Sequence, residues 1–294
     1  MTNTDIMSTW DIAFPHLNLY LYDVPKSFTV FGFEIAMYGV LVTLGFLCGL
    51  MLILHLAKKT GQDPDMYWDL FFAIMIASLI GARIYYVIFD WNRLYRGNPM
   101  AIFNIRDGGL AIYGGIIAGT LTTFVFSRIR KVSFLRLGDT LSPGLLLGQV
   151  IGRYGNFTNR EAFGQYTDNL FAMRIPLRAV YLASEVTETH MAHMTGSQNF
   201  IQVHPTFLYE SLWNLGLLIL ILLYYKHRRF TGEIILLTFG GYGAGRMWIE
   251  GLRTDQLKLH YSGLPVSQML AILVFVFCLT CLITIHFHRR AKNR

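Results

Sequence analysis

Tyr242, Arg246, Glu250 and Arg253 follow one another at intervals of four, four and three residues inside an apolar stretch. That spacing sets all four on one face of a helix. An Arg246 and Glu250 pair would suffice to steer helix packing, but Tyr242 and Arg253 extend the stripe beyond one pair, which favours a face that lines a ligand. A second cluster is Gly152-Arg153-Tyr154-Gly155-Asn156-Phe157-Thr158-Asn159-Arg160-Glu161. A planar guanidinium suits bidentate recognition of phosphate oxygens, and Asn156 and Asn159 can add neutral donors around it. The plainer alternative is that Arg153 and Arg160 snorkel from a helix end to the surface. Glu210 lies about one turn into a helix opened by Pro205 and needs a cationic partner, for which an arginine of another helix is the available type. Arg83 and Asp139 are also ionisable groups within or at the ends of apolar stretches, and a structural ion pair is the expected role of Glu210 and Arg83. His190 and His193 share the spacing of one helical face but imply no third metal ligand. Cys278 and Cys281, like Cys48, sit in apolar surroundings that argue for buried thiols.

The elements that must position these groups follow from composition. Of 294 residues, 53% are hydrophobic and only 15% charged, against roughly 25% charged in soluble domains. This excludes a soluble globular class, disorder and a disulfide scaffold. Seven stretches approach the roughly 20 apolar residues that a bilayer core requires: 33–56, 67–89, 108–127, 135–155, 206–225, 232–252 and 264–287. The fourth is the weakest, with Asp139 near one end, Arg153 near the other and Pro143 inside. Lys and Arg concentrate in the short segments at 57–66, 128–136, 226–231 and 288–294. The positive-inside rule makes those segments cytoplasmic, the N-terminus external and the C-terminus internal. The net charge of +7 is thereby topological, and no aromatic-interleaved basic stripe points to nucleic acid.

The expected fold class is an all-α polytopic membrane protein with seven transmembrane helices and a small extracytoplasmic head. Its expected layout is an external N-terminal segment (1–32), helices one to four (33–155), the head (156–205), helices five to seven (206–287) and a basic cytoplasmic tail (288–294). The first segment has no cleavable leader pattern, and Trp10, Phe14, Leu17, Leu19 and Tyr20 suit either a short interfacial segment or an ordinary loop. The head interior reads equally as strands or irregular structure. Glycines at 115 and 119, at 144, 148 and 152, and at 241 and 245 form small-residue faces on the third, fourth and sixth helices. These faces predict that the three helices meet centrally. No GxSxG, HExxH or phosphate-binding glycine loop occurs, which disfavours a serine hydrolase, a zinc protease and a nucleotide-driven pump.

The segment GRYGNFTNREAFG, from Gly152 to Gly164, resembles the signature of bacterial prolipoprotein diacylglyceryl transferases. Thr158 is its one departure, standing where an apolar residue is usual. Met37-Tyr38-Gly39, GGLAIYGG at 108–115, HPTFLYE at 204–210 and the stripe around Arg246 follow in the order expected of that family. The resemblance implies transfer of the diacylglyceryl group of phosphatidylglycerol to the lipobox cysteine of a preprolipoprotein signal peptide at a bacterial cytoplasmic membrane, with the active site toward the outer leaflet. It makes Arg153 and Arg246 essential and marks Tyr38, Asn156, Glu161, Gly164, Tyr242 and Glu250 as important positions. With them the expected catalytic set is Arg153, Arg246, Tyr113, Tyr38 and Glu161. The expected substrate-binding set is Arg153, Asn156, Asn159, Gly164, Tyr242, Arg246, Glu250 and Gly114, with Glu210, Arg83 and Asp139 as structural polar groups.

One departure bears on mechanism. Many relatives carry a histidine, assigned as general base, where this chain has Tyr113, and a phenol of pKa about 10 is a poor base at neutral pH. The expected chemistry needs neither cofactor nor metal. The competing readings are a seven-helix transporter or receptor for an anionic solute or lipid, and an intramembrane protease, although no inverted repeat or catalytic dyad is evident.

Overall fold

The computed structural model describes residues 12–104, 108–194, 199–258 and 263–292. Trp10, one of the aromatic residues of the N-terminal segment, lies outside them. The chain divides into two units, 1–49 with 142–294 and 50–141.

Every stretch expected to span contains a long helix, although residues 33–36 form a strand and 108–111 precede α3. The long helices among the described residues are α1 (Met37–Lys59), α2 (Pro64–Asp90), α3 (Ile112–Ile129) and α4 (Phe134–Asn159), followed, beyond the short α5 (Glu188–Ala192), by α6 (Thr206–Tyr224), α7 (Glu233–Leu252) and α8 (Val266–Lys292). Among the described residues, five segments are long and apolar enough to cross a membrane: Met37–Lys59, Pro64–Tyr95, Ile112–Ile129, Thr206–His227 and Val266–Ala291. α4 and α7 fall outside that set. They are the helices that carry the polar clusters, and their Arg, Glu, Asn and Gly content dilutes the apolar signal.

The all-helical expectation is corrected by short strands. β1 (Ile12–Phe14), β2 (Leu19–Leu21), β5 (Met173–Pro176) and β6 (Phe200–Val203) form an antiparallel sheet ordered β2-β1-β5-β6, while β3 (Ser27–Val30) and β4 (Phe33–Ala36) form a separate hairpin. Ala13 pairs with Arg174, and Met173 pairs with Val203. Residues 12–14 and 19–21 of the N-terminal segment therefore belong to a sheet. Phe14 is buried with Ile12, Phe163, Met173, Ile175, Ile201, Val203 and Phe207, so the sheet packs over the first turn of α6. Burial of one apolar face holds these three- and four-residue strands, which have little intrinsic stability alone.

In the unit of residues 50–141, α2 starts at Asp63, whose side chain accepts the Asp65 N–H at 3.0 Å, with Pro64 at the first helical position. Ile53, Ala57, Tyr67, Leu70 and Leu137 form its core. Gln62 ties it together by donating to Thr140 at 2.8 Å while accepting the Tyr67 hydroxyl at 2.7 Å. Asp139 is 1% exposed.

Each glycine face has a partner within its own unit. A Cβ at Gly115 would stand 3.4 Å from the Ser78 carbonyl oxygen, and one at Gly119 would stand 2.8 Å from Ser78 Oγ, so α3 uses them against α2. Gly144 and Gly148 of α4 receive Gly49 and Gly45 of α1, where added Cβ atoms would approach their carbonyl oxygens to 2.6 and 2.8 Å. Gly241 and Gly245 of α7 accommodate Leu217 and Trp213 of α6, and the Trp213 indole donates to the Gly241 carbonyl at 2.9 Å. The small-residue faces thus match α2, a glycine face on α1 or large side chains on α6, and spacing on one helix does not name that partner.

Candidate active site

α4, α6 and α7 bring three of the expected groups together. Arg153, two turns before the end of α4, pairs through Nη2 with Glu210 Oε1 at 2.6 Å. Arg246, in the middle of α7, donates Nη1 to both oxygens of the same carboxylate at 2.9 and 3.0 Å. Its Nη2 reaches Glu250 Oε2 at 2.5 Å, one turn along α7. The two carboxylate side chains are 3% and 4% exposed, and Arg246 is 14% exposed. Burying such charges is costly unless they are paired. Glu210 offsets the mutual repulsion of two guanidinium groups that would otherwise not share a buried site. Tyr242 lies one turn from Arg246 on the same helix, half-buried.

A second limb runs from Arg153 along the end of α4. Arg153 Nη1 reaches Asn156 Oδ1 at 3.4 Å, Asn156 Nδ2 donates to Glu161 Oε1 at 2.7 Å, and Asn159 Nδ2 donates to Oε2 at 3.3 Å. Two amides thus hold the Glu161 carboxylate. Tyr38, at the second residue of α1, lays its ring on Gly155. A Cβ there would stand 2.7 Å from Tyr38 Cδ2, which explains the glycine.

Beyond Asn159 the chain turns sharply. Arg160 and Ala162 take left-handed φ values of 54° and 57° on either side of Glu161. Arg160 does not snorkel. It is 1% exposed and donates to the Thr158 and Val24 carbonyls, the latter at 2.6 Å. Gly164 then passes through a narrow place, its N–H donating to the His204 carbonyl at 2.9 Å, where a Cβ would meet His204 Cβ and the Leu252 carbonyl oxygen at 2.8 Å each. Gly164 is thus required by packing beside the site.

Sequence reasoning missed Glu185. Buried at 3% exposure, it accepts the Ala162 N–H at 2.8 Å and so pins the turn that carries Glu161. Burial pushes its carboxyl up to about 7, with Asp255 and Glu161 adding to the rise, while the Ala162 N–H and Arg253 oppose it. Its surroundings in sequence, Leu182-Ala183-Ser184-Glu185-Val186-Thr187, look like any solvated loop, and no local signal marks it.

Two expectations change, those for Arg253 and Arg83. Arg253 does not extend the α7 stripe: α7 ends at Leu252, and Arg253 is an extended capping residue whose guanidinium grips Asp255 at 2.8 and 2.5 Å. That pairing lowers the Asp255 carboxyl, although burial opposes the shift. Among the described residues, Arg83 is held by backbone carbonyls and not by an ion pair. Its Nε, Nη1 and Nη2 donate to the carbonyls of Ile102, Gly108, Gly109, Ala101 and Asn104 at 2.7–2.9 Å, engaging all five N–H groups of the guanidinium. Those carbonyls belong to the loop that leads into α3. His190 and His193 are not a matched pair: His190 Nδ1 accepts the Thr187 N–H at 3.1 Å, while His193 stacks on Tyr166 at 3.9 Å.

Tyr113 and Gly114 open α3, in the unit of residues 50–141, while the arginine network belongs to the other unit. Tyr113 is half-buried. Gly114 is buried and allows α3 to approach Gly81 and Tyr85 of α2.

Apolar spans, with two partly exposed arginines paired to two buried glutamates, mark an α-helical membrane protein. Residues 25–284 match the prolipoprotein diacylglyceryl transferase family model, and this chain belongs to that family. A phosphatidylglycerol–prolipoprotein diacylglyceryl transferase of Synechocystis sp. is 41% identical over 256 residues, covering 84% of each chain. The enzyme of that name from Clostridioides difficile is 36% identical over 247 residues, 84% of this chain and 89% of its own. Transferase 1 of Clostridium perfringens is 35% identical over 275 residues, covering 92% of this chain and 97% of its own.

Proposed function

We propose that this protein transfers the diacylglyceryl group of phosphatidylglycerol to the lipobox cysteine of a preprolipoprotein, forming a thioether and releasing glycerol phosphate. The observation that carries this reading is the convergence of Arg153 and Arg246 on Glu210, in a chain that belongs to the transferase family. The substrate thiol, of pKa about 8.5 when free, attacks as thiolate. A carbon–sulfur bond forms at the terminal glycerol carbon, the carbon–oxygen bond to phosphate breaks, and the electron pair leaves on the phosphate oxygen. Arg153 and Arg246 stabilise that charge, a task for which fixed cations in a dry site are well suited. Glu161, held by two amides, or Glu250, paired with Arg246, orients an arginine or collects the thiol proton. Tyr38 or Tyr113 hydrogen-bonds the lipid phosphate, and Asn156, Asn159 and Tyr242 line its headgroup. The family assignment removes the reason to prefer a transporter or a protease.

All seven long helices cross a bacterial cytoplasmic membrane in this reading, with 1–32, 156–205 and the site external and 288–294 internal. Sheet pairing supports that arrangement. Hydrogen bonds between β1 and β5 require both strands on one side of the bilayer, hence an even number of crossings between them, which α1 to α4 supply. The bridge between Gly164 and Arg253 makes the same demand of α6 and α7.

The test is to incubate detergent-purified protein with phosphatidylglycerol and a lipobox peptide. A thioether-linked, heavier peptide and stoichiometric glycerol phosphate are expected, and neither should form with a Cys→Ser peptide. No adduct with the cysteine peptide, from folded protein, contradicts the proposal.

A further inference from the structure

The hairpin of β3 and β4 stands apart from the four-stranded sheet. Its register pairs Phe28 with Ile35 and Val30 with Phe33, and these four side chains share one face because paired residues, and residues two apart, point the same way. Ser27, Thr29 and Glu34 occupy the other face, where the Ser27 hydroxyl donates to Glu34 Oε1 at 2.6 Å. The hairpin is thus amphipathic, yet among the described residues nothing covers its apolar face: Phe33 is 75% exposed, and Phe31 at the tip is 96% exposed. A lone two-stranded ribbon is marginal in water, so such a face calls for an apolar neighbour.

Continuity with α1 identifies that neighbour. Ala36 is followed directly by Met37, the first residue of a helix apolar enough to cross the membrane, and the Met37 N–H donates to the Lys26 carbonyl at the hairpin base at 2.8 Å. Four residues of strand extend only about 13 Å, so the whole hairpin stays close to the level at which the span begins, within reach of the headgroup region. We infer that the β3–β4 hairpin is a membrane-inserted anchor whose Phe28, Val30, Phe31, Phe33 and Ile35 face contacts the acyl-chain boundary of the leaflet at which α1 starts. The inference rests on α1 crossing the bilayer and is independent of the transfer reaction.

The hairpin base is also fastened to the segment beside the candidate site. Lys26 Nζ donates to the Ala179 carbonyl at 2.7 Å, and Arg160, next to Glu161, donates to the Val24 carbonyl at 2.6 Å. Depth fixed at the hairpin is thereby passed to the turn that carries Glu161.

The experiment places single cysteines at Phe31→Cys and Thr29→Cys in a background with Cys48, Cys278 and Cys281 changed to Ala, each protein being checked for helical content. The proteins are labelled with an environment-sensitive fluorophore and reconstituted into phosphatidylglycerol-containing vesicles. The probe at 31 should emit to the blue of the probe at 29, be quenched by brominated acyl chains and be quenched several-fold less by iodide. Equal, free quenching by iodide at both positions would overturn the inference. So would protection of position 31 from both quenchers, which would mean that protein, a second copy or a substrate segment, covers the face.

Discussion

Replacing Glu210 by Gln removes the carboxylate on which Arg153, at 2.6 Å, and Arg246, at 2.9 Å, both rest. Arg153, Arg246, Glu210 and Glu250 together sum to zero charge, and the substitution leaves an excess of one positive charge where the Glu210 side chain is 3% exposed. Breaking a buried ion pair from one side costs about 3–5 kcal/mol. The amide oxygen still accepts from one guanidinium and recovers part of that, so Glu210→Gln should destabilise by about 2–3 kcal/mol. Transfer should fall further, on the order of 100-fold, because two cations that must meet one phosphate lose their common support. Glu210→Asp keeps the charge but withdraws it by one methylene, so it should recover most of the stability and little of the turnover. Unfolding in detergent, followed by circular dichroism, reads the first quantity, and the purified transfer assay reads the second. If Glu210→Gln were as stable as the parent, and Glu210→Asp no better than Glu210→Gln, the electrostatic reasoning would be refuted.

Arg83→Lys offers three donors to five carbonyls and should lower stability by about 2–4 kcal/mol through the carbonyls left without partners; thermal unfolding checks it, and a loss below about 0.5 kcal/mol would contradict the assignment. Gly164→Ala forces a Cβ to 2.8 Å from His204 Cβ and the Leu252 carbonyl oxygen, so the chain must shift at a cost of about 1–3 kcal/mol, measured in the same way. Glu185 gives a pH signature: its carboxyl rises from the usual 4.5 to about 7 on folding. The unfolded chain therefore ionises first. The stability associated with the protonated group is fully present below pH 4.5, declines as pH rises toward 7 and is lost above it. Glu185→Gln should abolish that slope, so the stability difference between parent and variant should change across this window and be flat above it.

The helices were legible because a bilayer demands long apolar runs, and each of those runs contains a long helix. The i, i+4 relation of Arg246 and Glu250 was legible for the same geometric reason, and their pairing at 2.5 Å follows from it. Glu210's need for an arginine could be read from the cost of a lone buried charge, although that rule could not say that two arginines would share it. What escaped was non-local or very short. β1 pairs with a strand some 160 residues away, and three-residue strands carry no periodicity to detect. The end of α7 at Leu252 was hidden because a spacing rule assumes that the helix continues, whereas Asp255 draws Arg253 out of it. Arg83 was assigned a carboxylate partner by type alone. A loop that turns several carbonyls inward satisfies a guanidinium equally well, and the glycines at 108 and 109, both at positive φ, were the sequence mark of such a loop.

The most direct test of the central claim, that Arg153 and Arg246 act together on the phosphate of one lipid, is turnover of Arg153→Ala and Arg246→Ala in the purified transfer assay, with helical content and membrane insertion verified for each. Both variants should insert and fold, and both should yield no thioether adduct and no glycerol phosphate above background. Turnover equal to that of the parent protein in either variant would contradict the account.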